Sequence, residues 1–149
     1  MRNLFLIIAG YASTFCRLDK AQDIILPQAF KNLQSGIPIL FGHKNHLKLG
    51  EILSLEERSA GLYMEGVIFC DKAWQKSLAK KIHQGRLSGL SIGIELEEVH
   101  NFEQGRLIEK ANLLEISVTS QPVNSDCQIG FSQFFLVGDS GLEPPTSSV

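Results

Sequence analysis

The chain has 149 residues, 44% of them apolar and 20% charged, which is ordinary for a globular protein and enough for one domain with a buried core. A formal charge of −2 with no basic block excludes binding to nucleic acid by phosphate neutralisation. Three widely spaced cysteines, Cys16, Cys70 and Cys127, form no Cys-x-x-Cys pair and point to a reducing compartment.

Arg2 precedes the apolar run Leu4 to Ala9, which has the outline of a signal peptide. Six residues are short for that role and far too short to span a bilayer, so the run reads as a buried first strand, Leu4 to Ala12. A polar connection from Ser13 to Gln22 follows. Ile24-Ile25-Leu26 is a short apolar run closed by Pro27, a residue suited to a helix's first turn, so Gln28 to Leu33 is expected to be one helical turn stopped at Ser35-Gly36. Ile37 to Phe41 reads as a strand, and Pro38 argues for an edge position. Leu47 to Leu55 and Leu62 to Phe69 alternate around a polar turn, Glu56 to Ala60, and predict an antiparallel hairpin with a bulge at Gly50.

Asp71 is a candidate N-cap. Behind it, Ala73, Trp74, Leu78, Ala79 and Ile82 recur at helical spacing, with lysines on the other faces, and Gly85 ends the pattern. Leu87 to Glu97 reads as a strand carrying Ser91, with Gly89 and Gly93 leaving room for another backbone. Glu98 to Gly105 is a polar loop. Leu107 to Leu114 and Glu115 to Thr119 are further strand, ended by Pro122. Asn124-Ser125-Asp126 is placed to cap a last short helix. Gly138 to Val149, rich in Gly, Pro and Ser, is expected to be a disordered tail behind a domain over 1–137. Many short strands, one clear helix and no internal repeat predict a mainly β fold with added helices, as a barrel or sandwich.

Chemistry narrows to a few side chains. His83 lies beside lysines on the helix and His100 in a polar loop, and both read as solvated. His43 follows an apolar strand at once and would emerge at its end. His43 and His46 have metal-pair spacing but lack a helix or a nearby third ligand. Glu115 interrupts Leu113-Leu114 and Ile116-Ser117-Val118, where a charge is costly to bury unless paired. A serine, a histidine and a carboxylate are the parts of an acyl-transfer site. On residue chemistry alone Ser88 and Ser91 stay tied, as do His43 and His46, and Glu95, Glu97 and Glu109 stand beside Glu115.

In family order, Gly10-Tyr11-Ala12-Ser13-Thr14-Phe15, Asp23-Ile24-Ile25-Leu26-Pro27-Gln28-Ala29-Phe30, Pro38-Ile39-Leu40-Phe41-Gly42-His43, Gly50-Glu51-Ile52, Gly85 to Gly93, and Leu114-Glu115-Ile116-Ser117-Val118 with Pro122-Val123-Asn124 resemble the prohead (capsid-maturation) serine proteases of tailed phages. The departures are small: Gln28 and Val123 replace a usual glycine and alanine, and Lys44 stands where an acid is common. The resemblance implies a mostly antiparallel β-barrel of about six to seven strands, similar to herpesvirus assembly proteases. It implies Ser91 as nucleophile, His43 as base and Glu115 as third member, with no metal or other cofactor. Oxyanion donors would be backbone N–H groups near Ser117 to Asn124, or Arg86 or Arg106. It further implies capsid protein, scaffolding segment and the protease itself as substrates, inside the prohead in the host cytoplasm, with a homodimer as its relatives suggest. Two other readings remain: an inactive prophage remnant serving as a structural module on capsid or scaffold, and a metal hydrolase using His43 and His46.

Overall fold

The computed structural model describes residues 3–31, 33–138 and 141–143. In chain order it has β1 (Asn3–Thr14), β2 (Asp23–Ile25), β3 (Pro38–Phe41), β4 (Lys44–Glu57), β5 (Gly61–Phe69), α1 (Ala73–His83), β6 (Gly89–Phe102), β7 (Gly105–Thr119), β8 (Ile129–Gly138) and β9 (Gly141–Glu143). All nine strands belong to one sheet, in the order β2-β7-β3-β4-β5-β1-β8-β9, with β6 also on β7. Among the described residues the architecture is thus mostly β with one helix, and has nine strands rather than the expected six or seven. No pairing among the described residues closes the sheet into the expected barrel.

The long strand β7 organises the site half of the sheet. β6 pairs with it antiparallel from Gly89↔Thr119 to Phe102↔Gly105, which occupies one edge throughout. The other edge is shared, since β2 lies parallel to Arg106–Ile108 and β3 lies parallel to Ile116–Val118. Between them Phe30 bridges Ala111. The expected helical turn after Pro27 is therefore replaced by a tight turn at Pro27-Gln28, with Gln28 at φ +68 and the Ala29 N–H donating to the Leu26 carbonyl at 3.2 Å, followed by the bridge at Phe30. Ala29 is fully buried and Phe30 is 6% exposed, and burying such a pair against β7 outweighs a weak local helix preference. Pro38 is also not on a sheet edge, because β3 is flanked by β4 and β7. It is tolerated as the strand's first residue, where the ladder needs no N–H from it.

The core lies under β1, β4, β5 and the inner halves of β6 and β7. Leu6, Ile8, Leu49, Leu62, Ile68 and Ile116 are fully buried, each burial contributing about 1.5–3 kcal/mol. The β4–β5 hairpin forms as the alternation predicts. The bulge residue beside β3 is Leu49, next to Gly50. Helix α1 sets Ala79 and Ile82 into the core. Its N-cap is Lys72 rather than Asp71. The Lys72 N–H donates to Gln75 Oε1 at 3.0 Å, and Gln75 Nε2 donates to the Lys48 carbonyl at 3.1 Å. Gly85, at φ +74, ends the helix.

Three further expectations change. Glu98 to Gly105 is no loop: β6 and β7 continue as a polar hairpin, turning at Glu103-Gln104. Asn124 caps no helix. Its Oδ1 accepts the Asp126 N–H at 2.9 Å in an Asx turn, and strand β8 follows. Gly141–Glu143 pairs with β8 as β9, while 139–140 and 144–149 of the expected disordered tail lie outside the described residues.

Candidate active site

The site begins with a register defect in β7. Gly93 pairs with Glu115 and Ile94 with Leu113, so Leu114 is squeezed out of the ladder and stands 54% exposed. Beyond this bulge Ile116 and Val118 point into the core. Glu115 and Ser117 share the opposite face, yet both are buried, Ser117 completely. Across the ladder Ser91 faces Ser117, and Gly93 faces Glu115. Side chains at directly opposed positions lie on one face, with Cβ atoms about 4.5–5.5 Å apart. Gly93 needs to be glycine here, because a Cβ at that position would overlap the Glu115 carboxylate. The glycine beside the serine thus makes room for a carboxylate.

β3 delivers the histidine. It runs parallel to β7 with Leu40 beside Ser117 and Phe41 beside Val118. The chain then reverses into β4 through two residues, Gly42 at φ +58 and His43 at φ +62, with Phe41 paired to Lys44. Positive φ at both central residues is what a twisted two-residue hairpin requires. For a histidine that backbone costs on the order of 1–2 kcal/mol. The Gly42 N–H donates to the Val118 carbonyl at 3.1 Å, which fastens the turn to β7.

In that turn the His43 N–H donates to Ser117 Oγ at 2.9 Å, and Ser117 Oγ donates to Glu115 Oε2 at 2.8 Å. His43 Nδ1 pairs with the other carboxylate oxygen, Glu115 Oε1. The imidazole is 41% exposed and the glutamate side chain 11%. Among the described residues no hydrogen bond occupies Ser91 Oγ or His43 Nε2. The face therefore carries a buried carboxylate gripping one side of an imidazole whose other nitrogen is open, and Ser91 lies on that face opposite Ser117.

The other candidates lie elsewhere. Glu95 and Glu97 receive hydrogen bonds from Asn112 Nδ2 at 3.2 and 2.9 Å, Glu97 also pairs with Lys31, and Glu109 is exposed. Ser88 Oγ donates to Gln128 Oε1 at 2.6 Å. His46 is exposed on β4. His83 stacks edge-on against Phe134 and bonds Ser132, rather than being simply solvated. Arg106 is committed to Asp23 through two bonds of 2.7 and 2.9 Å, and so is removed as an oxyanion donor. No group of three or more His, Cys, Asp or Glu among the described residues is arranged to hold a metal. No helix among them is long and apolar enough to cross a membrane. Ser117 is the member of this constellation that residue reasoning missed, and only the register of the bulged strand exposes it.

A cavity of about 120 Å³ lies beside the serine, lined by Thr14, Asp19, Leu90, Ser91, Val123 and Asn124 among others. His43 and Glu115 do not line it. Burial raises the Asp19 carboxyl above its ordinary value, as does the charge of Asp23, against the lowering effect of N–H bonds from Asp23 and Ala21.

A mostly antiparallel sheet presenting a Glu–His pair and a serine on one face is the outline of a serine hydrolase. Residues 2–136 match the family pattern of the caudovirus prohead serine proteases, and the chain belongs to that family. It is 33% identical over 131 residues to the prohead protease of Enterobacteria phage HK97, a match covering 83% of this chain and 58% of that protein. The chain thus spans little more than half the length of that relative. Among solved structures, the Kaposi's sarcoma-associated herpesvirus (KSHV) protease bound to a hexapeptide phosphonate inhibitor aligns at 13% identity and a TM-score of 0.57, over 87% of this chain and 64% of that one. A second KSHV protease structure aligns at 14% identity and a TM-score of 0.50, over 87% and 60%. At these identities the likeness is one of fold.

Proposed function

We propose that the chain is a serine endopeptidase of phage capsid maturation. His43 Nε2 takes the Ser91 proton as Oγ attacks a peptide carbonyl and gives it to the leaving amine as the C–N bond breaks, and water, deprotonated in turn by His43, then hydrolyses the acyl-enzyme and restores Ser91. Glu115 holds the imidazole and stabilises its charged form. The observation that supports this reading is the His43–Glu115 pair on the face of β7 that Ser91 shares from β6, where it stands opposite Ser117, in a chain of this family. No cofactor enters the chemistry. Backbone N–H groups near Ser117 to Asn124 would be the donors to the oxyanion. The substrates are phage capsid protein, its scaffolding segment and the protease itself, cut within the assembling prohead in the host cytoplasm, with a homodimer as the working form. Removing segments inside a closed shell makes assembly irreversible, because they cannot rebind.

Ser91→Ala is expected to abolish cleavage of a co-expressed capsid or scaffold protein with folding unchanged. Cutting at the normal rate by this variant would overturn the nucleophile assignment. The competing reading is a structural module on capsid or scaffold whose site does no chemistry. Labelling with a fluorophosphonate separates the two, since the module would not react at Ser91.

A further inference from the structure

We propose that Ser117 is a positioning residue that fixes the tautomer of His43. This rests on the peptidase reading for its purpose, though not for its geometry. The hydrogen bonds have a definite direction. A backbone N–H can only donate, so Ser117 Oγ accepts from His43 N–H at 2.9 Å. The hydroxyl has a single proton, and it lies toward Glu115 Oε2 at 2.8 Å. That oxygen is therefore an acceptor and carries no proton. The second oxygen, Oε1, faces His43 Nδ1. With the carboxylate ionised, Nδ1 must be the protonated nitrogen and the lone pair of neutral His43 must sit on Nε2, the nitrogen left open.

One buried hydroxyl thus does two things. It holds the histidine's backbone in its left-handed turn, and it fixes which carboxylate oxygen meets the ring. Ser117 is completely buried, so no water replaces either bond when the hydroxyl is removed. The opposed position on β6 is Ser91, so the residue that orients the base and the residue the base would deprotonate are cross-strand partners on one face. The bulge at Leu114 is what keeps Leu113 off the face that Glu115 and Ser117 share.

The test is the ¹⁵N and ¹H NMR signature of the His43 ring in the full chain, assigned by its disappearance in His43→Gln. Above the imidazole's titration the wild type is expected to show the Nδ1–H tautomer alone, with a low-field Nδ1 proton. In Ser117→Ala that proton signal is lost and the tautomers mix. Ser117→Cys, with the same shape and a weaker donor, gives a partial loss and keeps the test decisive if the alanine variant folds poorly. For cleavage, kcat falls about 10²-fold in Ser117→Ala with KM little changed, the low end of what a positioned base contributes. An Nε2–H tautomer in the wild type, or an unchanged ring signal in both variants, overturns the proposal. If the tautomer behaves as expected while neither peptide nor fluorophosphonate reacts, the peptidase reading fails and the role of Ser117 stands.

Discussion

β7 meets two buried carboxylates, and the chain satisfies them in opposite ways. Near its start, Asp23 of β2 is held by Arg106 in a two-pronged ion pair of 2.7 and 2.9 Å. Near its end, Glu115 is held by an imidazole and a hydroxyl. A guanidinium is charged at every working pH and has no proton to exchange, so the first arrangement is locked and can only hold β2 to β7. An imidazole has a nitrogen that can take up a proton and give it back, so the second arrangement can pass a proton without losing its contact. The same need, a partner for a carboxylate out of water, is met in one place by a permanent cation and in the other by a proton carrier.

The sharpest way to break that comparison is to remove the charge of each carboxylate site in turn. Glu115→Gln is expected to lower cleavage by about 10³- to 10⁴-fold, because an amide whose oxygen accepts from Ser117 turns its NH₂ toward His43 Nδ1 and reverses the tautomer. Stability, read by thermal melting, should change little. Gly93→Ala comes next. Its methyl would lie where the Glu115 carboxylate is, so cleavage should fall about 10²-fold as the pair is displaced, with about 1–3 kcal/mol of destabilisation from overpacking. Full activity in that variant would mean the carboxylate can move without consequence. Arg106→Ala should do the reverse of Glu115→Gln. It leaves Asp23, 7% exposed, without its cation, and because the guanidinium is 43% exposed the expected loss is about 2–3 kcal/mol, below the usual range for a buried pair. Cleavage measured on the folded fraction should be unchanged. An equal loss of activity in both variants would show that the two carboxylates do one job.

The same contrast explains how much could be read beforehand. β1, the β4–β5 hairpin and α1 are legible because an unbroken apolar run, period two and period 3.6 are each visible within ten or so residues. β8 was hidden. It has one buried side chain, Phe134, among residues half-exposed on both faces, which leaves no alternation to detect. Phe30 reads as part of a helical turn until β7 is present to pair with it. At the site, residue chemistry left two serines, two histidines and four glutamates in play, and family resemblance singled out Ser91, His43 and Glu115. The structure brings Glu115 and not the other three carboxylates against His43. Ser117 was illegible for a definite reason. In an unbroken strand Glu115 and Leu113 would share a face, and only the bulge at Leu114 breaks that pairing and leaves a buried polar face.

The smallest test concerns how far Arg106 serves the locked end. Asp19 Oδ1 accepts the N–H groups of Ala21 and Asp23, both at 2.9 Å, but its guanidinium neighbour is already committed to Asp23. Burial first, and the nearby Asp23 charge as well, hold the Asp19 carboxyl above 3.8. A carboxyl raised on folding favours the protonated native state, so its contribution is present below the unfolded value and is lost as pH rises through the folded one. Asp19→Asn keeps the acceptor oxygen and removes the titration. The variant should therefore melt like the wild type at pH below 3.8 and gain on it as the pH rises toward neutrality, in paired thermal melts across that range. A difference that stays flat, or reverses, would mean that Arg106 serves both aspartates, and that the locked end of β7 is a three-charge cluster rather than one committed pair.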